Sequence, residues 1–172
     1  MDPFKLSRKE HATSVRLAGE HRKMKTLAKG RTRAVLVRPL GSDRRQAAGR
    51  RSLVGMYDYS ADRSVVAVVD LESEKIVSVE ETPLQFQLAP EERKEAEGLA
   101  AKDDRVKEFL GGRKMNPLTR LYFPSSGPER ERKHRFAIVF LRPTNSERRY
   151  AVVDLSAQRV TDVLSPSDMM PQ

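Results

Sequence analysis

The sequence holds no cysteine, which removes disulfides, thiolate metal sites and a cysteine nucleophile at one stroke. It also lacks any run of about 18 apolar residues, so no segment reads as a membrane-spanning helix. The opening MDPFKLSRKEHATSV has no apolar signal core, which gives the expectation of a cytoplasmic protein. Residues 5–56 contain no Phe, Tyr or Trp, so that stretch offers no platform on which single-stranded bases could stack. Neither a helix-turn-helix nor a zinc-finger pattern is present. No GxSxG elbow occurs, and GGRK at Gly111–Lys114 lacks the spacing of a phosphate-binding loop and follows a helix rather than opening one.

Charge, by contrast, is plentiful and uneven. Residues 1–52 carry 15 Lys/Arg against 4 Asp/Glu, a balance of +11, whereas residues 53–172 carry 18 against 20, a balance of −2. The whole basic excess lies in the first third, which invites an anionic partner. Arg22 and Lys25 on the first helix, with Arg44, Arg45, Arg50 and Arg51 in the following loop, form the candidate anion- or partner-binding surface.

A phrase is also said twice. AVVDLESEKIVSV at Ala67–Val79 returns 84 residues later as AVVDLSAQRVTDV at Ala151–Val163, with six of thirteen positions identical. Each copy reads as a hairpin: an apolar strand, an Asp-Leu corner, a polar turn and a second strand. Ser7 and Glu10 form a capping box, and apolar spacing predicts a helix over 7–29, with Gly30 as its C-terminal cap. Strands are expected at 33–40, 53–59, 65–71 and 75–79. A connector bounded by prolines leads to a second helix over 90–110, opened by Pro90 and interrupted near Asp103-Asp104. Strands at 118–123, 136–141, 149–155 and 159–164 follow, and 125–134 reads as a loop. The helix-then-four-strands order thus occurs twice, an α+β pattern of one helix on a curled antiparallel sheet. The units are placed at 1–84 and 85–165, with 166–172 as a disordered tail. Asp70 and Asp154, at the ends of the repeated strands, are expected to accept hydrogen bonds from turn amides.

The segments RSVVAVVDLESEKIVSVE, TPLQFQLAPEERKEAEGLAAKDDRVKEFLGGR and HRFAIVFLRPTNSERRYAVVDLSAQRVTDVL resemble the small N-terminal domains of copper amine oxidases. In that family two cystatin-like domains, each a helix on a four-stranded antiparallel sheet, precede the catalytic β-sandwich. The resemblance spans about residues 5–165 and implies two tandem cystatin-like units that take no part in chemistry. The family's catalysis needs a quinone made from tyrosine and three histidine ligands to copper. Only His11, His21 and His134 exist here, and His11 and His21 lie about 80° apart around a helix and about 15 Å along it. No quinone-forming pattern surrounds any tyrosine. Amine oxidation by this chain alone is therefore not expected, and no cofactor or metal is assigned.

Three functions follow as expectations. The first is a non-catalytic binding or accessory protein that engages a protein partner or a second copy of itself. The second is a small enzyme or ligand carrier using a sheet-and-helix cavity lined by Tyr57, Tyr59, Tyr122 and Tyr150, with Asp58 and Tyr59 of MYDYSADR as acid–base candidates. A pocket lined by convergent polar groups would favour the carrier or enzyme, and a filled concave face the accessory module. The third is nonspecific nucleic-acid binding through the basic third, which a salt titration tests.

Overall fold

The computed structural model describes residues 5–40, 49–125, 127–142 and 147–169. The chain divides into two compact units, residues 1–87 and 88–172.

Unit 1 opens with α1 (Arg8–Glu20) and α2 (Arg22–Leu27), followed by β1 (Thr32–Leu40), β2 (Arg51–Asp58), β3 (Arg63–Asp70) and β4 (Lys75–Thr82). The strands form an antiparallel meander in that order. The capping box is present: Ser7 Oγ accepts from the Glu10 amide at 3.2 Å and Glu10 Oε2 accepts from the Ser7 amide at 2.7 Å. The single helix expected over 7–29 is two helices, because the backbone at His21 turns extended (φ −67°, ψ 131°). This break lets α2 fold back over the sheet and bury Met24 among Ala18, Val54, Met56, Val65 and Ala67. Gly30 is not the cap either. α2 ends at Leu27, and a Cβ at Gly30 would stand 1.9 Å from Ser60 Oγ, so glycine is required there for close approach.

Unit 2 repeats the plan with α3 (Pro90–Lys102), α4 (Asp104–Leu110), β5 (Leu118–Tyr122), β6 (Phe136–Leu141), β7 (Arg149–Asp154) and β8 (Arg159–Leu164), again an antiparallel meander. A short helix α5 (Glu129–Arg132) lies within the stretch expected to be loop. α3 has the same 13-residue length as α1 and also stops at an extended residue, Asp103 (φ −70°, ψ 131°). Asp103 Oδ1 then caps α4 through the Arg105 and Val106 amides. Ala96, Ala100, Val106 and Leu110 are buried on the helix side, as are Ala137, Val139, Leu141, Ala151 and Val153 of the sheet. Gly111, in the left-handed region at φ 54°, closes α4. The expectation of a disordered tail needs correction at its start: Pro166–Met169 form a 3₁₀ turn, held by Asp168 Oδ2 accepting from the Ser165 amide and hydroxyl at 2.7 and 2.6 Å.

The repetition extends to irregularities. The ladder slips between Val68 and Val69 in one unit and between Val152 and Val153 in the other. Glu74 and Gln158 take positive φ at 49° and 55° in the two matching turns. Asp70 accepts from the Glu72 and Ser73 amides, and Asp154 from the Ala157 amide. These carboxylates have the turn-bonding role expected of them.

The sheet edges differ. In unit 2 the Arg105 guanidinium donates to the carbonyls of Val160 and Thr161 at 3.1 and 3.2 Å while Asp103 grips it from behind. The edge strand β8 is thereby clasped by α4. The matching position on α2 is Lys23, and Val77 on β4 is 52% exposed.

Candidate functional site

The two sheets also differ on the face turned away from the helices. In unit 1, Gly55 lies on that face, opposite Val66, and a Cβ there would meet the Phe86 ring at 2.8 Å. The connector therefore lays Phe86 across the middle of the sheet, and Gly55 makes room for it. In unit 2 the matching cross-strand pair is Phe140 and Tyr150, whose rings meet edge to face at 5.2 Å. This sheet supplies its own aromatic filling there.

Toward the other end of sheet 2, the connection between β5 and β6 stands over the sheet and encloses a cavity of about 330 Å³. Its floor is apolar: Tyr122 and Phe136 face each other across β5 and β6, with Val152 and Leu164 beside them. Asp162 rises directly opposite Val152 in the β7–β8 ladder. Glu131 and Arg132 of α5 and Asp168 of the 3₁₀ turn complete the charged rim. Asp168 is held below the usual carboxylate range, first by its hydrogen bond from the Ser165 hydroxyl and then by that from the Ser165 amide. The lining thus carries three carboxylates against one guanidinium. The volume lies at the lower end of the range for small-ligand pockets, about 300–1,000 Å³.

Next to this floor is a polar pair that the sequence does not bring together. His134 Nδ1 bonds Asp154 Oδ2 at 2.7 Å, and the Asp154 carboxylate is buried. Asp154 stands opposite Phe136 in the ladder, and the His134 ring stacks on the Phe136 ring with centroids 6.2 Å apart. Twenty residues separate the partners, and the one available signal was that His134 lies two residues before Phe136, the strand residue that pairs with Asp154.

A second pair was equally hidden. Arg135 is fully buried and donates to both oxygens of buried Glu92, at 2.5 and 2.9 Å. Glu92 also accepts from the Ala89 amide at 2.7 Å, which makes it the helix-opening glutamate of α3. Arg50 does the same in unit 1, gripping Glu10, the glutamate of the capping box, and donating to the Lys5 carbonyl at 2.7 Å. This guanidinium foremost, and the Ser7 amide after it, bring the Glu10 carboxyl down from 4.5 to about 2. The clue in the sequence was a second repeat: a glutamate at the third helical position and an arginine just before the second strand of each unit.

Of the candidate basic residues, two stand beside carboxylates of unit 1. Arg50 is committed to Glu10, and Arg51 lies 3.9 Å from Asp70. Arg22 and Lys25 project from α2 and are exposed. Arg44 and Arg45 lie outside the described residues. The four tyrosines fall two to each unit. Tyr57 and Tyr59 belong to unit 1 and are buried against each other edge to face at 5.0 Å. Tyr57 donates to Asp62 at 3.3 Å, and Arg31 lies 4.1 Å over the Tyr59 ring. Asp58 is buried and accepts from the Lys29 and Ser60 amides, which gives it a structural role. Tyr122 lines the cleft, while Tyr150, opposite Leu164 in the β7–β8 ladder, is not part of its lining. Among the described residues no group of His, Asp and Glu is placed to hold a metal ion, and no helix is long and apolar enough to cross a membrane.

No protein-family model and no curated protein matches the chain.

Proposed function

We propose that this protein is a binding module of two cystatin-like units in which unit 2 receives a small ligand or a single side chain in the cleft over β5–β8. The observation that carries the reading is the cavity of about 330 Å³ over sheet 2, where Tyr122, Phe136, Val152 and Leu164 form an apolar floor and Glu131, Arg132, Asp162 and Asp168 supply the charged groups. An apolar floor with a few convergent polar groups is the usual construction of a binding pocket. The accessory role suggested by the resemblance to amine oxidase N-terminal domains is compatible with such a pocket, since a projecting side chain of a protein partner would fill it as well as a metabolite would. The test is to fill the cleft from within. Val152→Phe places a ring on the floor, and it is expected to abolish ligand-induced shifts in the amide spectrum of unit 2 while leaving unit 1 unchanged. Unaltered binding in this variant would remove the cleft as the site.

A second reading, a small enzyme, is favoured by the His134–Asp154 pair. An imidazole oriented by a buried carboxylate is the arrangement in which histidine moves protons. The discriminating measurement is whether a bound ligand is chemically altered by the protein and left intact by His134→Gln.

A further inference from the structure

We propose that the unit 2 cleft selects a cation on a short apolar stem: an alkylammonium or alkylguanidinium group. This rests on the cleft being the binding site proposed above. Two independent features of the cavity converge on that chemistry.

The first is the floor. Tyr122 and Phe136 stand opposite each other across β5 and β6 and continue into Val152 and Leu164. This surface strips water from a hydrocarbon stem but gives nothing to an unbranched polar molecule. Aromatic rings also attract cations through the negative potential of their faces, and they attract neither anions nor neutral alcohols in this way. The second is where the charges stand. Asp162 is not on a distant rim but directly opposite Val152, so its carboxylate rises from the apolar floor itself. Asp168 is fixed by two hydrogen bonds from Ser165, and Glu131 stands on the far wall with the Arg159 guanidinium 3.9 Å away. Arg132 is the sole cation of the lining. Arg159, Arg105 and Arg149 act on Glu131, Asp162 and Asp168 from outside the lining, so the acidic excess belongs to the lining alone, where an anionic ligand would meet three carboxylates for one guanidinium. A cation with a stem satisfies floor and rim together, the stem on Tyr122 and Leu164, the less buried residues of the floor, and the charge at Asp162. The small volume limits the occupant to one such group, either a free amine or a single lysine or arginine side chain from a basic peptide.

The experiment uses the full 172-residue chain and amide chemical-shift titrations with pentylamine, butylguanidine, pentanol and pentanoate, four probes of similar stem and different charge. The first two are expected to perturb β6–β8 with saturation, and pentanoate to leave them unmoved. Asp162→Asn, an exposed substitution that spares the core, should weaken pentylamine about fivefold and leave pentanol unchanged. Pentanol or pentanoate binding as well as pentylamine would overturn the charge selectivity while preserving the cleft as a site. Silence from all four probes would remove both ideas. Comparison with a blocked tripeptide centred on lysine separates the two sources: tighter binding of the tripeptide assigns the cleft to a protein side chain, and tighter binding of pentylamine assigns it to a free amine. Equal weakening of the amine and the alcohol by Asp162→Asn would overturn the role given to that carboxylate.

Discussion

The two units solve one problem in two dielectric settings. Each joins the opening glutamate of its first helix to an arginine before its second strand. In unit 1 the Arg50 and Glu10 side chains keep 27% and 18% of their surface in contact with solvent, and in unit 2 the Arg135 and Glu92 side chains keep none. The same contact therefore carries different weight. A partly hydrated pair gains about 1 kcal/mol or less over its separated members. A fully buried pair must offset the dehydration of both ions, and its value lies in what happens when one partner is lost. The neighbouring helix-to-sheet contact varies in the opposite sense. Unit 1 has a hydroxyl pair, with Ser14 and Ser52 2.7 Å apart, where unit 2 has Ala96 and Ala137, both buried. Polarity at this seam has been moved from one position to the other rather than added.

The largest effect expected from breaking the comparison is in unit 2. Glu92→Ala deprives the buried Arg135 guanidinium of its carboxylate and should cost about 3–5 kcal/mol, against about 1 kcal/mol or less for Glu10→Ala. Urea unfolding followed by a probe in each unit measures both, and equal losses would show that burial does not distinguish the pairs. The double replacement Glu92→Met with Arg135→Met should recover most of the loss.

A smaller effect belongs to the hydroxyl pair. Ser14→Ala alone leaves the buried Ser52 hydroxyl without its partner and should cost about 1–2 kcal/mol. Adding Ser52→Ala copies the alanines of unit 2 and should return most of that stability. A double variant no more stable than the single one would refute the equivalence of the two seams.

The smallest effect is a dependence on pH. The folded Glu10 carboxyl titrates near 2 rather than 4.5. A carboxyl depressed by folding contributes stability that is complete above its unfolded value and disappears as pH falls through its folded one. Hydrogen-exchange protection at the start of α1 should therefore decline between about pH 4.5 and 2, and Glu10→Gln should flatten this decline. A profile unchanged by Glu10→Gln would assign the acid sensitivity to another group.

What the sequence makes legible is local. The Ser7–Glu10 box, the Pro90 start, the Asp103 interruption and the repeated hairpin all depend on neighbours within a few residues, and each left a mark in the sequence. The break at His21 left only a weak one, Gly19 in the last turn of α1. His21 itself makes no side-chain capping bond, and the helix that follows it buries Met24. The ion pairs join residues 40 and 43 apart, and nothing about Arg50 alone distinguishes a structural arginine from one waiting for an anion. Its charge drew attention to a surface, whereas its carboxylate partner was already within the chain. The cleft was illegible for a similar reason. Tyr122, Phe136, Val152 and Asp162 come from four strands, and only the register brings them to one face.

The clasp of Arg105 on β8 has a consequence for how copies of this protein can meet. A strand adding itself to that border would need the very carbonyls of Val160 and Thr161 that the guanidinium already occupies. Recruitment there must begin by expelling a charged plug, so runaway fibre growth from this flank is opposed from the outset. Because Arg105 foremost holds the Asp103 carboxyl below its ordinary 3.8, the plug keeps its anchor in mildly acidic solution, where many proteins begin to expose their sheets.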